Sequence, residues 1–448
     1  MQIDSKELEF IQERRNKTFN QMKENSILMI SPNPSSKRSN DTDNKYKPNS
    51  DLVYLSGYSE EDTVLLLSKN DVNKCYLSVL PKDQDKETWT GRRYGPEGAK
   101  NNFKVDEAFS NEEFDKKIEE LFKNCFTIYY SFGINENYDN RFLEAYKSAS
   151  RNIPRNYIGP REIINSNQIV HELRLVKDKL ELNNLKKSCK IAAQGHIEGM
   201  KYIKPDLFEY QIQSKVEQKF LSKGGLHPSY PSICATGENA TILHYTRNTD
   251  LLKDGDLFLI DAGTEYNHYC SDITRTYPVN GKFSDIQIEV YNIVLESQLK
   301  AIQRCKPGNS FLSVHEEALK TITKGLVQLG ILKDEMDKLI REEQFKPYYM
   351  HRTSHWLGLE THDSGNYCYL KNKKDLSNIN SRILEPGMIL TVEPGLYFQP
   401  HIKDIPKKLK GIGVRIEDDI LITEEGYEDL TSEVPKTIKD IETLMNDV

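Results

Sequence analysis

Four acidic residues stand inside, or at the ends of, apolar runs in the second half of this chain, and they limit how it can fold. Asp261 follows Leu257-Phe258-Leu259-Ile260 and precedes Ala262-Gly263, and Asp272 sits in SDITRT among β-branched residues. Glu393 lies in MILTVEPG and Glu417 in GVRIEDDILI. An isolated ionised carboxylate in such surroundings costs several kcal/mol unless it is paired or bound to a cation. Any one of them can be a strand-end acid turned to solvent or paired with Lys or Arg. Four in one half of the chain are harder to place that way. Strand alternation puts Arg415 and Glu417 on one face, with Val414, Ile416 and Asp418 on the other. Asp418 and Asp419 read as solvated.

The segment HRTSHWLGLETHD holds His351, His355 and His362, and His244 lies upstream in LHYTRN. The 351/355 spacing allows a helical pair of metal ligands, but Arg, Thr and Ser intervene and no Glu does. A satisfied structural histidine is the plainer reading of each alone. Should the four acids meet one His, the site is oxygen-rich with a single nitrogen. Such a donor set suits Mn²⁺, with Fe²⁺, Co²⁺ or Zn²⁺ in range. Two such ions would balance four carboxylates, hold a bridging water and polarise a carbonyl, which is the chemistry of amide hydrolysis.

The rest of the chain sets the class. Its 448 residues imply two or three domains at about 150 residues each. A net charge of −7 argues against a nucleic-acid partner. No apolar run approaches the roughly 20 residues of a membrane span. Seven scattered cysteines without a CxxC pair, and a charged N-terminus without an apolar stretch, predict reduced thiols and a cytoplasmic location. Residues 5–24 read as a surface helix, Ile27–Ile30 as a buried strand and 31–51 as a loop. LVYLSGY and TVLLL read as two strands joined at a glycine, and KCYLSVL as a third. NEEFDKKIEELF and NRFLEAYKSA read as amphipathic helices. This alternation predicts an α/β domain over 1–169. Beyond it, two long helical stretches split by KPD, then strands with helices near 284–304 and 312–330, predict an α+β domain over 170–448.

The strings IDAGTEYNHYCSDITRTYPVNGKF, HRTSHWLGLETHD, LEPGMILTVEPGLY and GVRIEDDILIT closely resemble the metal-binding segments of the pita-bread metallopeptidases, and among these the aminopeptidase P (Xaa-Pro aminopeptidase) family. NSDLVYLSGYSEED, ETWTGRRYGPEGA and VHELRLVKDK resemble that family's N-terminal domain and junction, so the likeness spans nearly the whole chain. It implies a pita-bread catalytic domain behind a smaller α/β domain, and hydrolysis of the N-terminal Xaa-Pro bond by a hydroxide bridging two divalent ions, most readily Mn²⁺. It implies that Asp261 binds one ion, His355 and Glu393 the other, and Asp272 and Glu417 both. Glu393 would take the water proton, while His244 and His362 would contact substrate and the tetrahedral intermediate. His351, Tyr397 and Arg415 would line the proline pocket. Trp89 in WTGRR, otherwise read as a core aromatic, would reach the site of a neighbouring subunit in a homotetramer; a homodimer is the other assembly considered.

Two departures stand out: Arg352 follows His351 where some relatives have Gly, and KNKKDLSNINS before Glu385 is longer and more polar. Both read as loop variation. The nearest rival is prolidase, which cleaves only Xaa-Pro dipeptides and needs a cationic anchor for their carboxylate. Methionine aminopeptidase usually lacks so large an N-terminal domain, and creatinase lacks the five ligands. A silent peptide-binding relative would have lost ligands that this chain keeps.

Overall fold

Ser26–Ile30 is buried throughout its length and forms the centre of a six-stranded mixed sheet. The sheet runs Glu107–Ser110, Lys74–Val79, Val64–Lys69, Ser26–Ile30, Thr127–Tyr129, Glu162–Ile164. It belongs to the first of two compact units, Met1–Arg174 and Leu175–Val448. The computed structural model describes residues 4–151, 159–370 and 379–446, so residues 371–378 of the polar stretch before Glu385 lie outside it. Alternate residues of the sheet (Ile27, Met29, Val64, Leu66) meet Phe114, Ile118 and Phe122 of the helix Phe114–Lys123, and Tyr138 and Phe142 of Glu136–Arg151. The helical spacing of those aromatics places them on one face per helix, as the amphipathic pattern predicts.

Three expectations fail in this unit. LVYLS is the helix Ser50–Ser56, not a strand. Asn49 caps it through Asp51 N and Leu52 N, and Gly57 ends it in the left-handed conformation at φ 69°. A short apolar run buried on all sides has no periodicity to separate helix from strand, so the caps decide. The helix Ser5–Gln21 exists as predicted, but Arg14 and Arg15 are buried rather than solvated. Arg15 donates to the carbonyls of Leu55, Phe103 and Lys104 at 2.7–2.9 Å, placing a cation at two helix C-termini. Trp89 is 89% exposed on Gln84–Thr90, a helix with no buried residue, so it is not a core aromatic.

The second unit has the predicted α+β make-up. Two long helices, Lys179–Tyr202 and Glu209–Ser222, pack against the three-stranded sheet Thr274–Pro278, Leu257–Asp261, Ile233–Thr236. The helical run divides at Val176–Asp178, where Asp178 and Glu181 form a capping box. Gly199 lets the two helices touch: a Cβ there would lie 2.6 Å from Val216 Cγ2. Helices Asp285–Ile302 and Phe311–Gln328 stand where the sequence puts them. A second sheet, Ile389–Val392, Asp418–Thr423, Gly426–Asp429, and the pair Gly395–Tyr397 with Gly413–Arg415 complete the site's frame. Among the described residues, no helix is long and apolar enough to cross a membrane.

Candidate metal centre

Asp261 ends the strand Leu257–Asp261, opposite Thr274 on one side and Ile233 on the other. The chain runs on through Ala262-Gly263 and reverses only at Asn267-His268, where φ is 47° and 70°, and a Cβ on Gly263 would collide with the Ser271 carbonyl oxygen of the returning arm. This hairpin, closed tightly because residue 263 has no side chain, brings Asp272 back beside Asp261. Asp272 lies between strands rather than inside one, and its main-chain N–H donates to Asp419 Oδ2 at 3.0 Å. Glu417 also falls between strands. Its N–H donates to Thr274 O at 3.0 Å, and Thr274 Oγ1 donates to Glu417 Oε2 at 2.6 Å.

His351 and His355 lie in irregular backbone, not on a helix. His355 exchanges backbone and side-chain bonds with Thr391, and its Nδ1 meets the Trp356 carbonyl at 3.0 Å. A carbonyl only accepts, so Nδ1 carries the hydrogen and Nε2 is the nitrogen turned toward the acids. That atom lies 3.4 Å from Asp272 Oδ2 and 3.8 Å from Glu393 Oε1. Ligand atoms of Asp272, His355 and Glu417 all fall within 4.8 Å of one another. Asp261 joins them through Tyr230, whose hydroxyl reaches Asp261 Oδ1 at 2.6 Å and also Asp272 Oδ1. All five expected ligands therefore converge.

The electrostatics describe a cluster in need of positive charge. Burial, then like-charge repulsion, holds Asp261 above the usual carboxylate range, pushes Glu417 well above it and raises Glu393 to about 7. Behind them Asp419 is raised well above its ordinary value by burial and by Asp272. Burial works to lower His355, but its bond to Asp272 and the charges of Glu393 and Asp272 outweigh it and lift the imidazole to about 9. Buried carboxylates beside one imidazole fit a divalent cation of the hard-to-borderline class. A single Tyr230 hydrogen cannot serve two carboxylate oxygens at once, which leaves donor capacity for a cation.

The remaining expected residues surround this cluster. Arg415 Nη2 donates to Asp261 Oδ2 at 2.5 Å and Nη1 to the Tyr397 hydroxyl at 3.0 Å. Tyr397 in turn meets His351 Nε2 at 2.8 Å. His351 Nδ1 faces the Arg352 carbonyl, so Nε2 accepts from Tyr397 and the ring stays neutral. Burial and Arg415 push its pKa down to about 3. The His362 ring packs on His355 with centroids 4.2 Å apart. His244 is exposed in a turn. Trp89 belongs to the Met1–Arg174 unit.

Sequence reasoning missed four contributors. Tyr230, between Pro228 and Pro231, carries no periodic signal. Thr274 reads as an ordinary strand residue. Asp418 and Asp419, expected in solvent, are fully buried. The signal that could have found the last two is the one Glu417 carries, since all three acids precede the apolar run Ile420–Ile422.

The fold and site define a metallopeptidase, and the chain belongs to metallopeptidase family M24, which residues 183–424 match. Residues 11–130 match the N-terminal domain of aminopeptidase P. Among its relatives, the Xaa-Pro aminopeptidase of Haemophilus influenzae is 42% identical over 98% of this chain and 97% of its own length. Proline aminopeptidase P II from Yersinia pestis superposes with a TM-score of 0.93 at 40% identity, covering 98% of this chain and 100% of the other. Zn-substituted Escherichia coli aminopeptidase P in complex with product matches with the same score and identity, over 100% of this chain and 99% of that one.

Proposed function

We propose that this protein is a metal-dependent exopeptidase that removes the first residue from peptides with proline in second position. The observation that carries the reading is the gathering of Asp272, His355 and Glu417 within 4.8 Å, with Asp261 and Glu393 tied to the same groups. In this reading Asp261 would hold one ion, His355 and Glu393 the other, and Asp272 and Glu417 would serve both. Bound there, two divalent ions, Mn²⁺ by preference and Co²⁺, Fe²⁺ or Zn²⁺ otherwise, would lower the pKa of a shared water and polarise the carbonyl before proline.

The chain's own residues do the rest. Glu393 is the least buried of the four acids and accepts the proton of the attacking water. His362 stabilises the developing oxyanion, and His244, facing solvent, passes a proton to the departing proline nitrogen. An Xaa-Pro bond has no N–H to recognise, so selectivity falls to a pocket for the pyrrolidine ring. The row Arg415–Tyr397–His351 supplies a stiff wall for it, because each hydroxyl and ring nitrogen there already has its partner. The substrate's ammonium is drawn to the carboxylate end, which limits cleavage to the first bond.

We further propose a cytoplasmic homotetramer or homodimer in which Trp89 completes a neighbouring subunit's site. The support is an indole left 89% exposed. The deciding experiment supplies Mn²⁺ to chelator-treated protein and compares Xaa-Pro-Xaa with Xaa-Ala-Xaa tripeptides. Release of the first residue from the proline peptide alone is expected. Equal turnover of both, or turnover unaffected by chelation, would end the reading; activity confined to Xaa-Pro dipeptides would make the protein a prolidase.

A further inference from the structure

Behind the carboxylates lies a fully buried ion pair that the reaction does not touch. Arg275 and Asp418 are each 0% exposed. The guanidinium donates from Nη1 to the Glu417 carbonyl at 2.5 Å and to the Thr274 carbonyl at 3.0 Å. Nη2 donates to Asp418 Oδ1 at 2.6 Å and to Val434 O at 3.0 Å, and Nε to Pro435 O at 3.3 Å. Asp418 is fixed in turn by Gln298 and Thr431 at 2.6 Å and by Lys436 at 2.7 Å. Glu417 sits between two strands, outside either ladder, where it meets Thr274 in a lone antiparallel bridge. Arg275 grips both carbonyls of that bridge.

We propose that the Arg275–Asp418 pair is a positioning device for Glu417 and so sets how tightly the site takes divalent ions. The proposal rests on reading Glu417 as a ligand. Of the four main-chain carbonyls that the guanidinium takes, one is that of Glu417 itself and one that of its bridge partner Thr274. Groups that orient metal ligands typically change affinity by about 10–100-fold when altered. Lysine can neutralise Asp418 but lacks the planar fork that also reaches two carbonyls.

The test titrates Mn²⁺ into chelator-treated full-length protein by calorimetry, with melting followed by circular dichroism. R275K is expected to fold cooperatively and to bind Mn²⁺ about 10–100-fold more weakly. K436M removes a partner of Asp418 that does not touch Glu417; it is expected to melt earlier yet bind Mn²⁺ as the parent does. Should R275K fail to fold, D418N keeps the shape while weakening the grip and is expected to lower affinity in the same direction. Parent-like binding by the folded R275K or D418N variant, or an equal loss in K436M, would overturn the proposal. A parent protein that takes up no Mn²⁺ would instead bring down the metal-centre reading itself.

Discussion

Tyr230 joins two carboxylates with one hydroxyl, so its removal tests how far the acids depend on a neutral partner. Tyr230→Phe keeps the ring and deletes the donor to Asp261 and Asp272. Leaving buried acceptors unmet costs about 1–3 kcal/mol. Chelator-treated Tyr230→Phe is expected to lose that much stability in urea denaturation, with most of the loss recovered when Mn²⁺ is added. His196 offers a second single-residue test. It is fully buried, with Nε2 against the Ala262 carbonyl at 2.8 Å, and burial lowers its pKa to about 4. A depressed folded pKa means stability that is complete above the unfolded value of about 6.5 and lost as pH falls toward 4. Replacement by Gln, which does not titrate, is expected to flatten stability between about pH 6.5 and 4.5 relative to the parent. An unchanged slope would exclude His196 from the acid limb. At this scale the four acids were legible because burial of a charge demands an explanation. Tyr230 and Thr274 were not, since a neutral hydroxyl is at home in solvent or core alike.

Among the elements, the long periodic segments matched expectation, as did the short apolar strands at Ile27–Ile30, TVLLL and KCYLSVL, but LVYLS did not. Phe114–Lys123 and Glu136–Arg151 repeat their aromatic face over several turns, whereas LVYLS is too short to show a period and its caps made it helical. The helix pair Lys179–Tyr202 and Glu209–Ser222 permits a quantitative test. Gly199→Ala gains up to about 1 kcal/mol of helix propensity. Against that, the new methyl would stand 2.6 Å from Val216 and 3.3 Å from Ile260, and overpacking costs about 1–3 kcal/mol. The clash is with side chains clamped between two elements, so net destabilisation is expected, seen as a lower denaturation midpoint with an unchanged slope. A more stable Gly199→Ala would mean the helices can part without cost.

For the molecule as a whole, the acid cluster links folding to metal and pH. Carboxyls whose folded pKa is raised contribute stability in acid and lose it as pH climbs from the unfolded to the folded value. For Glu393 that window runs from about 4.5 to about 7, and Asp261 and Glu417 shift in the same direction. Metal-free protein is therefore expected to lose stability across this window. Because protons compete with cations for the same oxygens, Mn²⁺ should raise the melting temperature more at about pH 7.5 than at about pH 5. Melts with chelator and with Mn²⁺ at both values check this, and an equal increment would contradict it. The letters of the chain were enough to name the acids that gather in the second unit and the two-domain plan, since charge among apolar residues and long periodicity are local properties. They could not say that Arg415 pairs with Asp261, Thr274 with Glu417 or Asp419 with the Asp272 backbone. Those partners lie 154, 143 and 147 residues apart, and no local energetic term selects among such distant combinations. Packing alone brought them together, and with them the burial that turned two apparently solvated acids, Asp418 and Asp419, into parts of the site's foundation.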